Sequence, residues 1–262
     1  MGVGRRGVEG GRTAAPGRAA GDVLGGFLAH VRTERRHGQM APGARRLRAE
    51  GSCRCSPKPA AMVEPPADVY GRVAGEFDAR TQLDELPDSF RDLLESFVEA
   101  LAGPAVLDAG CGPGRDAAYF AERGLDPVGI DLAAGMVEYA RANRPGRYLR
   151  MDLQSLGFAA DSFDGVWCPA SVFFVPFEGM VAALSEFERV LRPDGVARVG
   201  FKLGDGRLEV EKWGTTTVEY RLPVEHAREM LGSAGFDVES VAVDEVASGA
   251  RFANLECSPR RT

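Results

Sequence analysis

The chain has 262 residues, 44% of them hydrophobic, enough for one α/β domain with a sizeable core and some chain to spare. Residues 1–61 hold eleven Arg and one Lys against four acids, a net of +8, so the overall −6 leaves residues 62–262 at −14. An acidic domain with only two lysines, Lys202 and Lys212, repels nucleic acid and anionic membrane, and no charge-free apolar run is long enough to span a bilayer.

Residues 1–61 are rich in Gly, Arg, Ala and Pro and lack helix or strand periodicity apart from a short patch, Val23–Val31. Arg32 to Arg36 follow that patch, where a secretory signal would place a small-residue cleavage site. Two readings stand: a disordered basic tail, or a start assigned too early, with translation beginning at Met62. A nucleic-acid-binding arm ranks behind both. The five cysteines show no framework, so reduced thiols and a cytoplasmic location are expected. Cys53-x-Cys55 is not a zinc spacing.

From Met62 onward a domain is expected. Tyr70–Arg80 and Ser89–Leu101 read as helices, the second with Leu93, Leu94, Phe97, Val98 and Leu101 at helical spacing. Alternating elements follow: strand 105–108, helix 115–123, strand 127–131, helix 135–143 and short strand 148–151. Strand 163–168, helix 179–191 and strand 196–202 complete the run. This alternation implies right-handed crossovers and a parallel sheet covered on both faces. Beyond it, Thr215–Tyr220 reads as extended and Pro223–Ala234 as helical. Phe236–Val243 and Arg251–Cys257 read as two strands joined by Ala247-Ser248-Gly249, a hairpin added to the sheet.

The chemistry-bearing segment begins at Val106-Leu107-Asp108-Ala109-Gly110-Cys111-Gly112-Pro113-Gly114-Arg115. An apolar strand runs into glycines and then a helix, placing a turn at the carboxyl end of the first strand, where open α/β sheets bind ligands. Arg115 stands where the dinucleotide fingerprint has its third glycine, which disfavours a nicotinamide-dependent oxidoreductase. Asp131 ends the next strand, in the usual place of a ribose anchor. Asp152 follows the third strand and can accept from the exocyclic amine of adenine, with Met151 and Leu153 as apolar neighbours. Singly, each has a bland reading: Asp131 as a helix cap, Asp152 as a turn residue, the glycines as any tight turn. Their joint order is what points to a nucleoside ligand.

The segment Ala105–Phe201 resembles the type 11 group of class I S-adenosylmethionine-dependent methyltransferases. It carries that family's glycine loop, its acid after the second strand, its Asp-Leu pair after the third and an Arg-Val-Leu-Arg-Pro-Asp-Gly turn at Arg189–Gly195. With the leading Tyr-x-x-x-Ala…Phe-Asp helix at Tyr70–Asp78, the likeness covers residues 68–258. It implies a Rossmann-like, doubly wound, mostly parallel seven-stranded sheet with a C-terminal antiparallel hairpin, and S-adenosylmethionine as cofactor. It also implies that Gly110, Gly112 and Gly114 meet the methionine part of the cofactor, Asp131 the ribose and Asp152 the adenine, with Asp108 as the acid that begins the glycine motif. Leu132, Met136 and Leu153 would flank the nucleoside, with Tyr70 and Arg80 covering it.

Related sequences often read Ser-x-x-His-Val-Pro after the fourth strand; here Ser171 to Pro176 carries Phe174 in place of His. That removes the obvious general base. His226, the one histidine after Met62, reads as a solvated helix residue, and Cys168 as a small buried one. Cys168-Pro169-Ala170 stands where amino-methylating nucleic-acid enzymes carry Asn-Pro-Pro-aromatic. The expected activity is methyl transfer by direct displacement to a small-molecule acceptor, with Trp167, Phe173, Phe174 and Trp213 as candidate apolar wall or core residues. A non-catalytic binder of the same fold is the alternative.

Overall fold

Seven strands run in the order β3-β2-β1-β4-β5-β9-β8 in the computed structural model, which describes residues 63–246 and 249–260. Strands β1 (Ala105–Ala109), β2 (Asp126–Asp131), β3 (Arg147–Arg150), β4 (Phe163–Cys168) and β5 (Leu191–Lys202) are mutually parallel. Strand β9 (Arg251–Pro259) lies antiparallel to β5, and β8 (Phe236–Glu245) antiparallel to β9. The sheet is therefore mostly parallel, seven-stranded and closed by an antiparallel hairpin, as the motifs imply. The tail reading for residues 1–61 lies outside the described residues, as do Ala247 and Ser248 of the hairpin loop.

Period-two alternation divides the two faces of the sheet. Leu107, Ala109, Val166 and Cys168 point into the larger core, beneath α6 (Phe177–Val190) and α7 (Val224–Ser233). Val106 and Trp167 point into a second cluster with Leu94 and Phe97 of α3 (Asp88–Ala100) and Phe120 of α4 (Arg115–Glu122). Trp167 is fully buried there, with ring centroids 5.1 Å from Phe97 and 5.8 Å from Phe120. It is a core residue and not part of an apolar wall around a ligand. The strand order reverses between β1 and β4, which opens a crevice above the carboxyl ends of these two strands.

Two local readings need correction. The helix expected over Tyr70–Arg80 is two helices, α1 (Pro66–Arg72) and α2 (Ala74–Arg80), broken at Val73 with φ −115° and ψ 18°. Gly71 and Gly75 flank that β-branched residue, so local helix propensity is poor, and both halves pack on α5 (Ala134–Asn143): Gly71 of α1 meets Gly135, and Asp78 of α2 accepts from the Tyr139 hydroxyl at 3.1 Å. Strand β6 (Gly206–Lys212) was not anticipated. It pairs with β7 (Thr215–Arg221) in a separate two-stranded sheet, turning at Trp213 and Gly214, both at positive φ (54° and 76°). Its charged residues Arg207, Glu209 and Glu211 mask the strand pattern, and Trp-Gly is not a familiar signal for a turn with two positive φ angles. Among the described residues no helix is long and apolar enough to cross a membrane.

The α1–α5 crossing depends on Gly135. A Cβ built there would fall 2.0 Å from the Gly71 carbonyl oxygen, a backbone atom that can yield only if the helices separate. Gly135→Ala is expected to destabilise the fold by about 1–3 kcal/mol, read as a lower urea midpoint at unchanged m-value.

Candidate active site

The glycine loop is built by hydrogen bonds to β2. The amides of Gly110 and Cys111 both donate to the Ile130 carbonyl at 2.8 Å. The Gly112 amide donates to Asp131 Oδ2 at 2.9 Å, while Asp131 Oδ1 accepts from the Ala133 amide at 2.8 Å. Gly110 has φ +80°, and a Cβ on it would meet Ser171 Oγ at 1.8 Å, so no other residue fits without moving the loop after β4. The Ser171 hydroxyl donates to the Gly110 carbonyl at 3.2 Å. The loops after β1, β2 and β4 thus form one hydrogen-bonded unit.

Beneath this loop the acids are structural as well as polar. Asp108 is 2% exposed and accepts from the Ala117 amide at 3.1 Å, tying β1 to α4. Burial, and then the charge of Asp116, push its carboxyl well above the usual range. Asp116 in turn accepts from Arg115 Nε at 2.7 Å and from the Trp167 indole at 2.9 Å. Arg115 also donates to the Thr81 carbonyl at 2.8 Å, so it anchors the end of α2. Burial raises Asp131 as well.

These groups surround a cavity of about 520 Å³, within the range of small-molecule sites. Of the residues singled out in the sequence, Asp108, Gly110, Gly112, Asp131, Leu132, Met136, Asp152, Leu153 and Tyr70 line it. Gly114 does not. It caps α4 at φ +82° under the Tyr148 ring, and turns the chain into the helix. Arg80 lines a neighbouring hollow, its guanidinium 4.7 Å from the Trp213 ring centroid. Asp152 Oδ1 accepts from the Gln154 amide at 2.9 Å. Phe173 and Phe174 line the main cavity, their centroids 4.6 Å apart, and Phe174 lies edge-on to Tyr70 at 5.4 Å. Cys168 is fully buried and pushed up to about 12 by burial, and His226 does not line the cavity.

Sequence reading missed Lys202 and Lys212 as site residues, although both line the cavity. Glu219 of β7, fully buried, accepts from Lys202 Nζ at 2.7 Å, Lys212 Nζ at 2.7 Å and Arg221 at 2.8 Å. The available signal was their rarity: a domain with two lysines places both at one cavity.

This sheet order, with its crevice above the first and fourth strands, is the Rossmann-like fold seen in solved S-adenosylmethionine-dependent methyltransferases. Residues 107–199 match the family described as "Methyltransferase domain". The chain is 34% identical over 131 residues to "Malonyl-[acyl-carrier protein] O-methyltransferase" of Salmonella typhimurium, covering 50% of each chain. It is 32% identical over 126 residues to "Methyltransferase GfsG" of Streptomyces halstedii, covering 44% of this chain and 45% of that one. It thus spans about half the length of the curated relatives it matches. Among solved structures it superposes on the [4+2]-cyclase SpnF with a TM-score of 0.61 at 17% identity, covering 78% of this chain and 100% of that one. It also superposes on the 1,6-didemethyltoxoflavin-N1-methyltransferase of Burkholderia thailandensis with a TM-score of 0.55 at 20% identity, covering 78% and 94%. These structural likenesses speak for the fold.

The Glu219 cluster makes a pH-dependent prediction. Three cationic partners outweigh burial and hold its carboxyl at about 2, below an ordinary 4.5. A lowered pKa stabilises the fold above 4.5, and that contribution is lost as pH falls towards about 2. Glu219→Gln is expected to cost about 3–5 kcal/mol at neutral pH by stranding buried cations. The gap in melting temperature from the parent protein should close as pH is lowered through that window.

Proposed function

We propose that this chain transfers the methyl group of S-adenosylmethionine to a small-molecule acceptor by direct displacement. The observation that carries the reading is the cavity at the β1–β4 reversal, with Asp131 locked to the glycine loop and Asp152 one strand further out. The donor set suits the cofactor. Asp131 keeps carboxylate lone pairs for the two ribose hydroxyls, Asp152 takes the adenine amine, and Leu132, Met136 and Leu153 flank the nucleoside. Gly110 and Gly112 bring bare backbone to the methionine part, with Asp108 beneath and Tyr70 above. Gly114 contributes by shaping the turn, and Arg80 by bracing Trp213 beside Tyr70.

When bound, the cofactor supplies a sulfonium methyl that a lone pair can take without further activation. The chain then has to position the acceptor in line and exclude water. Phe173 and Phe174 provide an apolar surface at that part of the cavity. The buried, free thiols of Cys111, Cys168 and Cys257 fit a reducing cytoplasm. A nicotinamide enzyme fits less well, because Arg115 fills the third-glycine place and is committed to Asp116 and Thr81. The likeness to a cyclase shows that this fold also serves other chemistry, so methyl transfer itself must be measured.

Calorimetry with S-adenosylhomocysteine is expected to show saturable one-site binding. Asp131→Ala should weaken it about ten- to a hundredfold, the worth of charged hydrogen bonds to two hydroxyls. No binding to the parent protein would sink the reading. Binding without methyl transfer to any metabolite would favour a non-catalytic binder.

A further inference from the structure

Apart from Arg115, which is neutralised by its ion pair with Asp116, the charges lining the cavity are sorted by sign. Its carboxylates, Asp108, Asp116, Asp131 and Asp152, belong to β1, α4, β2 and the loop after β3. Its lysines end β5 and β6. Asp131 and Lys202 close strands three places apart in the sheet, roughly 14 Å at the spacing of neighbouring strands. A nucleoside held by Asp131 and Asp152 leaves the β4–β5 side for the acceptor.

That side holds more positive charge than the protein needs for its own packing. Among the described residues, Glu219 is the carboxylate that pairs with Lys202, Lys212 and Arg221, one negative charge against three positive. Lys202 is 5% exposed, and its ammonium lies 5.7 Å and 5.6 Å from the Phe173 and Phe252 ring centroids. A cation so far removed from water gains from an anionic ligand. Lys212 is held by Glu219 and donates to the Tyr70 hydroxyl at 3.4 Å, so both ammonium groups are pre-positioned. Around them the lining is Phe173, Phe174 and Phe252, and among the described residues no histidine lines the cavity.

We propose that Lys202 and Lys212 bind a carboxylate of the acceptor, and that an oxygen of this carboxylate receives the methyl group. The inference rests on the methyl-transfer reading and names its substrate class. A carboxylate is ionised at neutral pH, so no base is required. One oxygen accepts from the lysines, and a lone pair on the other forms the O–CH₃ bond. The S–CH₃ bond breaks with its electron pair passing to sulfur. No proton moves, and the products are a neutral methyl ester and S-adenosylhomocysteine. Loss of the carboxylate's charge also weakens its hold on the lysines, which favours product release.

The test is transfer of labelled methyl from S-adenosylmethionine into a fractionated metabolite extract, followed by mild alkali. A methyl ester releases its label as volatile methanol, whereas ethers, methylamines and C-methyl products keep it. The expected result is alkali-labile label. Its formation should fall in Lys202→Met, recover in part in Lys202→Arg, and in Lys212→Gln need roughly tenfold more of the active fraction for half-maximal transfer. S-adenosylhomocysteine binding by calorimetry should persist in all three variants, which shows that the fold and donor end are intact. Alkali-stable label overturns the proposal and leaves methyl transfer standing. Alkali-labile label indifferent to Lys202→Met and Lys212→Gln removes the lysines from the acceptor site. No label in any fraction, with cofactor binding intact, defeats the methyl-transfer reading itself.

Discussion

The bond from the Gly112 amide to the Asp131 carboxylate holds together the half of the cavity built by β1 and β2. It joins a loop whose Gly110, Gly112 and Gly114 all have positive φ to the end of the neighbouring strand. The paired donation from Gly110 and Cys111 to Ile130 sets the height of the loop, and Asp131 sets its outer edge. Below, Asp108 accepts from Ala117 and Asp116 from Trp167, so the floor of the crevice is continuous with the aromatic core around Phe97 and Phe120. A ligand that hydrogen-bonds Asp131 meets a carboxylate already oriented by two amides, and little ordering is left to do on binding.

The opposite half is held by a different force. Three cations converge on Glu219, a side chain with no exposure to water. Such clusters are costly to bury, and a lone ion pair would have met any purely structural need more cheaply. Of the three, Lys202 sits against the Phe173 and Phe252 rings, where little water screens it. The cavity therefore presents an acidic end and a cationic far end, with aromatic surface between.

Much of the first half was legible in the sequence, because its physics is local. An apolar strand followed by glycines must turn at the sheet edge, and acids at the ends of the next two strands must face the same crevice once the connections are right-handed. The strand and helix bounds from Ala105 to Lys202 came close for the same reason, except that β5 begins at Leu191 and takes in most of the turn expected before Val196. What escaped depends on contacts between distant segments. The break at Val73 reflects the Gly71–Gly135 crossing, which no window around Tyr70 reveals. Trp167 looked available for a ligand and is instead claimed by Phe97, Phe120 and Asp116. Lys202 and Lys212 carry no motif: they meet only because β7 brings Glu219 beneath both.

The cationic end is assembled from chain that lies outside the matched family segment. That segment stops at residue 199, whereas Tyr70, Lys202, Lys212, Glu219 and Phe252 all lie beyond its bounds. The acidic and cationic halves of the cavity thus rest largely on separate stretches of the chain. Insertion, loss or exchange of the β6–β7 hairpin would redraw the cationic end while every residue around Asp131 stayed in place. Sequence identity over the matched segment therefore speaks for the Asp131 half of the cavity, and is nearly silent on the cationic half.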